Sequence, residues 1–277
     1  MKNILFPTDF SKSANHALEF AVYMAQMGNK SLNILNVYMT PKVSDEAVTD
    51  DVYKTQLAES KKNAHHNIQN LKEELAVRHP WLTVHTHIEY GFIAETILAY
   101  AENTQCNYIV MGTHGAKGFL DNILGSNTLA VIENAKIPVW AIPLQSKIEE
   151  IKTITYASDY EGDEIPIITQ VLDFATLFEI DTHVIHIHEE YEPEITPSEQ
   201  ITDILKAHFE GKRITFRTIN RKDAVEGLEQ YIINQKPEVL ALARHERGFW
   251  SNMFHRSFTK HFAHASKTPI LILHKED

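Results

Sequence analysis

The chain of 277 residues contains a single cysteine, Cys106, so no internal disulfide can staple it. No apolar run reaches the roughly eighteen residues that a membrane helix needs, and no membrane partner is expected. Lysine and arginine form no block, and the formal net charge is −11, which argues against a broad attraction to nucleic-acid phosphates. The opening Met1-Lys-Asn-Ile-Leu-Phe-Pro7 is too short for a secretion-signal core, so the expectation is a cytoplasmic chain. Four catalytic signatures are also missing. No glycine-rich loop ends in Gly-Lys-Ser/Thr, which removes the lysine and hydroxyl that a P-loop hydrolase uses. No HExxH zinc motif occurs, and neither HIGH nor SGGxDS, the marks of adenylyl transfer, is present.

What is present begins with Gly112-Thr-His-Gly115, followed after nine residues by Gly125-Ser126-Asn127. The stretch comes directly after the apolar run Tyr108-Ile-Val-Met111. A strand leading through glycines into a new helix offers bare backbone N–H groups to phosphate oxygens. Lys117 and Asp121 fall in the same loop and could touch phosphate or a metal ion, or stand as exposed loop residues.

The chain also repeats itself. Asn3-Ile-Leu-Phe-Pro-Thr-Asp9 returns as Thr153-Ile-Thr-Tyr-Ala-Ser-Asp159, and each is followed by helical periodicity. Leu32 to Tyr38 answers to Thr182 to His188, and Ile137 to Pro143 answers to Thr268 to His274. With 43% hydrophobic content the length supports two cores of about 140 residues each. The polar segment 144–150 is the natural join, giving domains at 1–146 and 147–277. Strands alternating with helices point to parallel βαβ units in a doubly wound, Rossmann-like α/β fold. In the first half the pattern predicts strands near 2–7, 31–38, 82–89, 107–112 and 137–142. Helices are expected near 12–27, 46–78, 92–103 and 126–134.

The glycine spacing resembles the ATP-binding motif of the universal stress protein family, and as two tandem copies the resemblance covers nearly the whole chain. It implies two five-stranded sheets of order 3-2-1-4-5, with a topological switch between the first and fourth strands where a ligand would gather. It also implies a nucleotide-binding role in the stress response, sometimes with weak ATP hydrolysis. By this resemblance Pro7, Thr8 and Asp9 line an adenosine pocket, Val37 lies beside the base, and Met111 and Gly112 flank the ribose. His114 falls within the same motif. Gly115, Gly125, Ser126 and Asn127 would hold the phosphates of ATP, with Mg2+ as a companion ion. Members of the family commonly dimerise through their last strands. Here both equivalents, Ile137 to Ile142 and Thr268 to Leu273, belong to one chain, so they are expected to pair antiparallel in an internal pseudo-dimer, with room for higher oligomers.

The second copy departs from the motif. Aligned from Leu240 against Val110, it sets Leu242 opposite Gly112, His245 opposite Gly115 and Arg256-Ser257 opposite Gly125-Ser126. Bulky side chains there would fill a phosphate cradle, so the second domain is expected not to bind ATP. Nine of the sixteen histidines lie beyond residue 150. His186 and His188 share a strand face, and His261 and His264 share a helix face, a permissive arrangement for zinc. Arg244, Arg247 and Arg256 could instead attract an anionic metabolite. The reading is an ATP-binding regulatory protein whose hydrolysis is slow or absent. The alternative is a nucleotide-free interaction protein whose second domain takes another ligand or a protein partner.

Overall fold

The structure, a computed structural model, describes residues 3–39, 50–113, 124–148, 151–160, 163–189, 198–244 and 267–274. These form two compact units, one ending at Ile137 and the other taking up from Pro138.

In the first unit the apolar β1 (Asn3–Pro7) is buried along nearly its whole length. Helix α1 (Lys12–Gly28) starts at Ser11, whose hydroxyl accepts the Ala14 N–H at 3.1 Å, and stops at Asn29 in the left-handed conformation. Strand β2 (Ser31–Tyr38) pairs parallel with β1, and the long, largely exposed α2 (Asp50–Arg78) leads to β3 (Val84–Tyr90). The predicted start of α2, residues 46–49, lies outside the described residues. Next come α3 (Ile93–Asn103), β4 (Tyr108–Gly112) and α4 (Ser126–Asn134). Sheet order is β3-β2-β1-β4. The chain therefore crosses from β3 past β2 and β1 before laying down β4, and the right-handed crossover rule then puts α3 and α4 on the face opposite α1 and α2. The switch point falls between β1 and β4, as the resemblance implied.

The second unit contains the whole 3-2-1-4-5 order as β8-β7-β6-β9-β10. Its elements are β6 (Thr153–Ser158), α5 (Ile165–Leu177), β7 (Asp181–Glu189), α6 (Ser198–His208), β8 (Ile214–Arg221), α7 (Ala224–Gln235), β9 (Leu240–Arg244) and β10 (Ile270–His274). Strand β5 (Val139–Ile142) joins this unit on the outer side of β10. The expected antiparallel pairing is present, with Ile270 opposite Ala141, Leu271 opposite Trp140 and Ile272 opposite Val139. Trp140 is fully buried and packs on Phe174 of α5 with ring centroids 4.5 Å apart.

The strand registers correct one sequence alignment. Leu5 pairs with Ile109, while its counterpart Thr155 pairs with Leu240. The strand starts agree. Asn107 Oδ1 accepts the Asn3 N–H at 3.0 Å, and Glu238 Oε2 accepts the Thr153 N–H at 2.8 Å. Leu240 therefore matches Ile109, one residue away from the alignment drawn from sequence, and the residue opposite Gly112 is Ala243 rather than Leu242. By the same count Glu246, outside the described residues, replaces His245 opposite Gly115.

Candidate functional site

The carboxyl ends of β1 and β4 meet at the switch point. Continuing the β1–β4 register brings Pro7 level with Met111, and both are buried. Beyond Pro7 the chain turns sharply. Thr8 Oγ1 accepts the Phe10 N–H at 3.0 Å, Asp9 Oδ1 accepts the Ser11 N–H at 3.0 Å, and Phe10 adopts φ +59°. The turn is tied to β2, since the Thr8 N–H donates to the Leu35 carbonyl at 2.9 Å and Asn36 Nδ2 donates to the Thr8 carbonyl at 2.7 Å. Asp9 itself is exposed, and Val37 at the end of β2 is half-buried.

Gly112 has a packing reason to be glycine. A Cβ built on it would lie 2.6 Å from Ser13 Oγ and 2.8 Å from the Ser13 carbonyl carbon and oxygen, so α1 starts directly against the end of β4. This contact draws the Asp9 turn and the start of α4 to one place. The Gly125 N–H donates to the Thr113 carbonyl at 2.6 Å, and Thr128 Oγ1 donates to the Gly112 carbonyl at 3.0 Å. Helix α4 opens at Gly125 (φ −59°, ψ 144°) with no side-chain cap, and Ser126 and Asn127 are exposed on its first turn. The positive end of the helix dipole thus faces outward beside Gly112, and among the described residues no side chain caps the first turn.

The structure so brings together Pro7, Thr8, Asp9, Met111, Gly112, Gly125, Ser126 and Asn127 at the carboxyl edge of the sheet, with Val37 one strand over. His114 and Gly115 lie outside the described residues, as do Lys117 and Asp121. Sequence reasoning passed over Asn36, Ser13, Thr113 and Thr128. The signal for Asn36 was an amide inside the buried run Leu32 to Tyr38, since a buried polar side chain needs a partner.

The same place in the second unit is built differently. The Ser158 hydroxyl accepts the Tyr160 N–H at 3.0 Å, as Thr8 does for Phe10, and Tyr160 takes φ +57°. His186 stands where Asn36 does and donates from Nδ1 to the Ser158 carbonyl at 3.1 Å, which leaves Nε2 to accept from the Ser198 hydroxyl at 3.3 Å. Tyr160 stacks on His186 with ring centroids 4.1 Å apart, and its hydroxyl meets Thr202 at 2.9 Å. Underneath, Glu164, 2% exposed, accepts from the Tyr156 and Ser158 hydroxyls at 2.7 Å each. Burial first, and the Glu164 charge second, push the Tyr156 phenol well above its ordinary range, so it remains a donor. Asp159 is half-buried with Oδ2 hidden from solvent, unlike the open Asp9.

Among the described residues no group of three His, Cys, Asp or Glu side chains is arranged to hold a metal ion. His186 and His188 have ring centroids 6.4 Å apart, and His186 is engaged at both nitrogens. His245, His255, His261 and His264 lie outside the described residues, with Arg247 and Arg256. Arg244 ends β9 and donates from Nε to His274 Nδ1 at 3.3 Å. Burial, and then the Arg244 charge, lower the His274 imidazole to about 4. Among the described residues no helix is long and apolar enough to cross a membrane.

Comparison with known proteins gives this architecture a family. The universal stress protein MJ0577 of Methanocaldococcus jannaschii is 26% identical over 157 residues, covering 51% of this chain and 94% of the relative. MJ0531, a universal stress protein of the same organism, is 29% identical over 148 residues, covering 53% of this chain and 84% of its own. The crystal structure of a universal stress protein from Archaeoglobus fulgidus matches 99% of this chain and 97% of its own with TM-score 0.70, and at 16% identity it shows the shared fold. The model of the universal stress protein family matches residues 1–143, and the chain, with its second copy of the same fold, belongs to that family.

Proposed function

We propose that the chain is a nucleotide-binding regulatory protein that takes one adenine nucleotide, ATP, in its first copy. The observation that carries this reading is the difference in openness between the two carboxyl edges. In the first, an exposed Asp9 lies beside a helix start that has no side-chain cap, and Gly112 holds the two together through its contact with Ser13. Asp9 is placed to accept from ribose or adenine. Gly125, Ser126 and Asn127 offer backbone donors and a hydroxyl to phosphate oxygens. Any Mg2+ would travel with the triphosphate.

Nothing in this arrangement supplies a P-loop lysine, so ATP would act as a bound signal and its hydrolysis would be slow or absent. The second copy is proposed to leave nucleotide alone, because Glu164, Tyr156, Ser158, Tyr160 and His186 satisfy one another. Calorimetric titration of the intact chain with ATP tests both statements. One site per chain is expected. Two equivalent sites, or none at millimolar ATP, would refute the reading.

A further inference from the structure

Strand β3 is the outer strand of the first unit, and among the described residues nothing pairs with its outer edge. The bonds at the two ends of the β2–β3 ladder show which groups face inward. The Leu32 N–H donates to the Thr83 carbonyl at 3.0 Å, and the Gly91 N–H donates to the Tyr38 carbonyl at 3.4 Å. The register between them is unbroken over seven pairs, so the odd-numbered residues of β3 bond β2. The N–H and C=O groups of Val84, Thr86 and Ile88 consequently point away from the sheet, with no partner among the described residues.

Natural edges are usually blunted by proline, lysine, a bulge or an inward charge. Val84-His-Thr-His-Ile-Glu-Tyr90 contains no proline and no lysine or arginine. Its counterpart β8, Ile214-Thr-Phe-Arg-Thr-Ile-Asn-Arg221, carries Arg217 and Arg221 and is preceded by Arg213. Beside the β3 edge a groove of about 440 Å3 runs between the strand and α2, lined by His65, His66, Ile68 and Gln69 of the helix and by Thr86, His87 and Ile88. A bare edge flanked by a helix is the geometry in which an extended peptide adds itself to a sheet.

The wall of the groove indicates what such a peptide carries. Asn70 Nδ2 donates to His66 Nε2 at 3.1 Å, which leaves Nδ1 of His66 as an N–H donor. Gln69 Nε2 donates to Glu73 Oε1 at 2.8 Å, which holds that carboxylate along the helix, one turn beyond Gln69. Lys61 and Lys62 lie one helical turn before His65 and His66 on the same flank. A second copy of the chain would press this flank of lysines and imidazoles against its own like, whereas a carboxylate meets donors there. We infer that the β3 edge and the α2 flank form a docking groove for an extended acidic peptide segment, added as a further strand through the Thr86 and Ile88 backbone.

The test uses the intact chain and a fluorescein-labelled ten-residue peptide alternating valine and glutamate, followed by anisotropy. A valine–lysine peptide serves as comparison. Thr86→Pro removes one outward N–H without touching the ladder to β2, and edge strands accept proline at such positions. Binding of the glutamate peptide is expected to fall at least tenfold in Thr86→Pro, and severalfold in the double variant His65→Gln/His66→Gln. The melting temperature should change little in either, and amide exchange at Thr86 and Ile88 should slow when peptide is bound to the original chain. The proposal is overturned if Thr86→Pro binds as tightly as the original, if the lysine peptide is preferred, or if the edge is protected by self-association with no peptide present.

Discussion

The two copies answer the same problem, how to finish a parallel sheet at its carboxyl edge, in opposite ways. In the first, Phe6, Thr8 and Ala14 are buried, and the polar groups Asp9, Ser126 and Asn127 are left exposed. In the second, their counterparts Tyr156, Ser158 and Glu164 bond to one another in the core, and the aspartate that follows is drawn inward. A buried carboxylate is tolerable only with its oxygens paired, so this network commits the second edge to a structural task. On the proposed reading, polar residues that satisfy one another would close the second edge to nucleotide with no bulky residue at a glycine position.

The comparison can be broken most severely at Glu164. Removing it in Glu164→Ala strands two buried hydroxyls, each worth roughly 1–3 kcal/mol, so the second unit should lose about 2–6 kcal/mol. The matched Ala14 is buried and its methyl group offers no hydrogen bond, so no polar group depends on that side chain. Urea unfolding followed by tryptophan fluorescence reads the loss, and an unchanged midpoint for Glu164→Ala would remove the network from the account.

Next in size is Gly112→Ala. The added methyl would meet the Ser13 backbone at under 3 Å, a fault of overpacking that costs roughly 1–3 kcal/mol and pushes α1 away from β4. Ala243→Gly, its mirror in the second unit, should cost under about 1 kcal/mol, from backbone entropy and a lost methyl. If both changes cost the same, the close approach of α1 is not what demands glycine.

A third difference concerns pH. His274 follows the position of Pro143 in the first copy, so only the second unit carries this titration. Burial, and then the Arg244 charge, hold its folded pKa at about 4, below the ordinary imidazole value of 6.5. Between these values the unfolded chain takes up a proton that the folded one refuses. Stability from this group is therefore complete above pH 6.5 and drains away as pH falls toward 4, by about 2–3 kcal/mol. In His274→Gln the stability curve should be flatter across that window than in the original chain, and parallel curves would deny His274 the role.

The smallest expected effect is on the ligand. Asp9→Ala should weaken ATP by about 0.5–1.5 kcal/mol, a few-fold to roughly tenfold in Kd, while Asp159→Ala leaves affinity unchanged. Equal losses from the two would mean that the exposed and the inward aspartate are not distinguished by nucleotide.

Much of this was legible in the chain. The buried strands Asn3–Pro7 and Tyr108–Gly112, the helix that follows the first of them and the repeat of about 150 residues all declare themselves through periodicity. So did the antiparallel pairing of the two final strands, because each is apolar on both faces and would otherwise be an edge. The register of β9 was hidden by the same property: Val239-Leu-Ala-Leu-Ala243 has no polar alternation to pin it, and only the bonds from Asn107 and Glu238 to the strand starts do so. The Tyr156–Glu164–Ser158 network was likewise invisible, since each residue is ordinary at a strand end or helix start and only their convergence gives them meaning. Gly112 was legible as a glycine that mattered. Its partner, the backbone of Ser13, lies about a hundred residues away and leaves no mark in the local sequence.

Strand β5 carries a practical lesson for anyone who would cut this gene in two. It is encoded with the first copy, yet it pairs antiparallel with β10 of the second unit. A fragment beginning at the polar join near residue 147 would lose that strand and bare the apolar Ile270-Leu-Ile-Leu-His274 edge to whatever strand came next. Such a fragment would aggregate or recruit a stray partner unless residues 138–146 were kept with it. A second-copy fragment is therefore best started ahead of Val139, so that β10 keeps the partner strand it has in the intact chain.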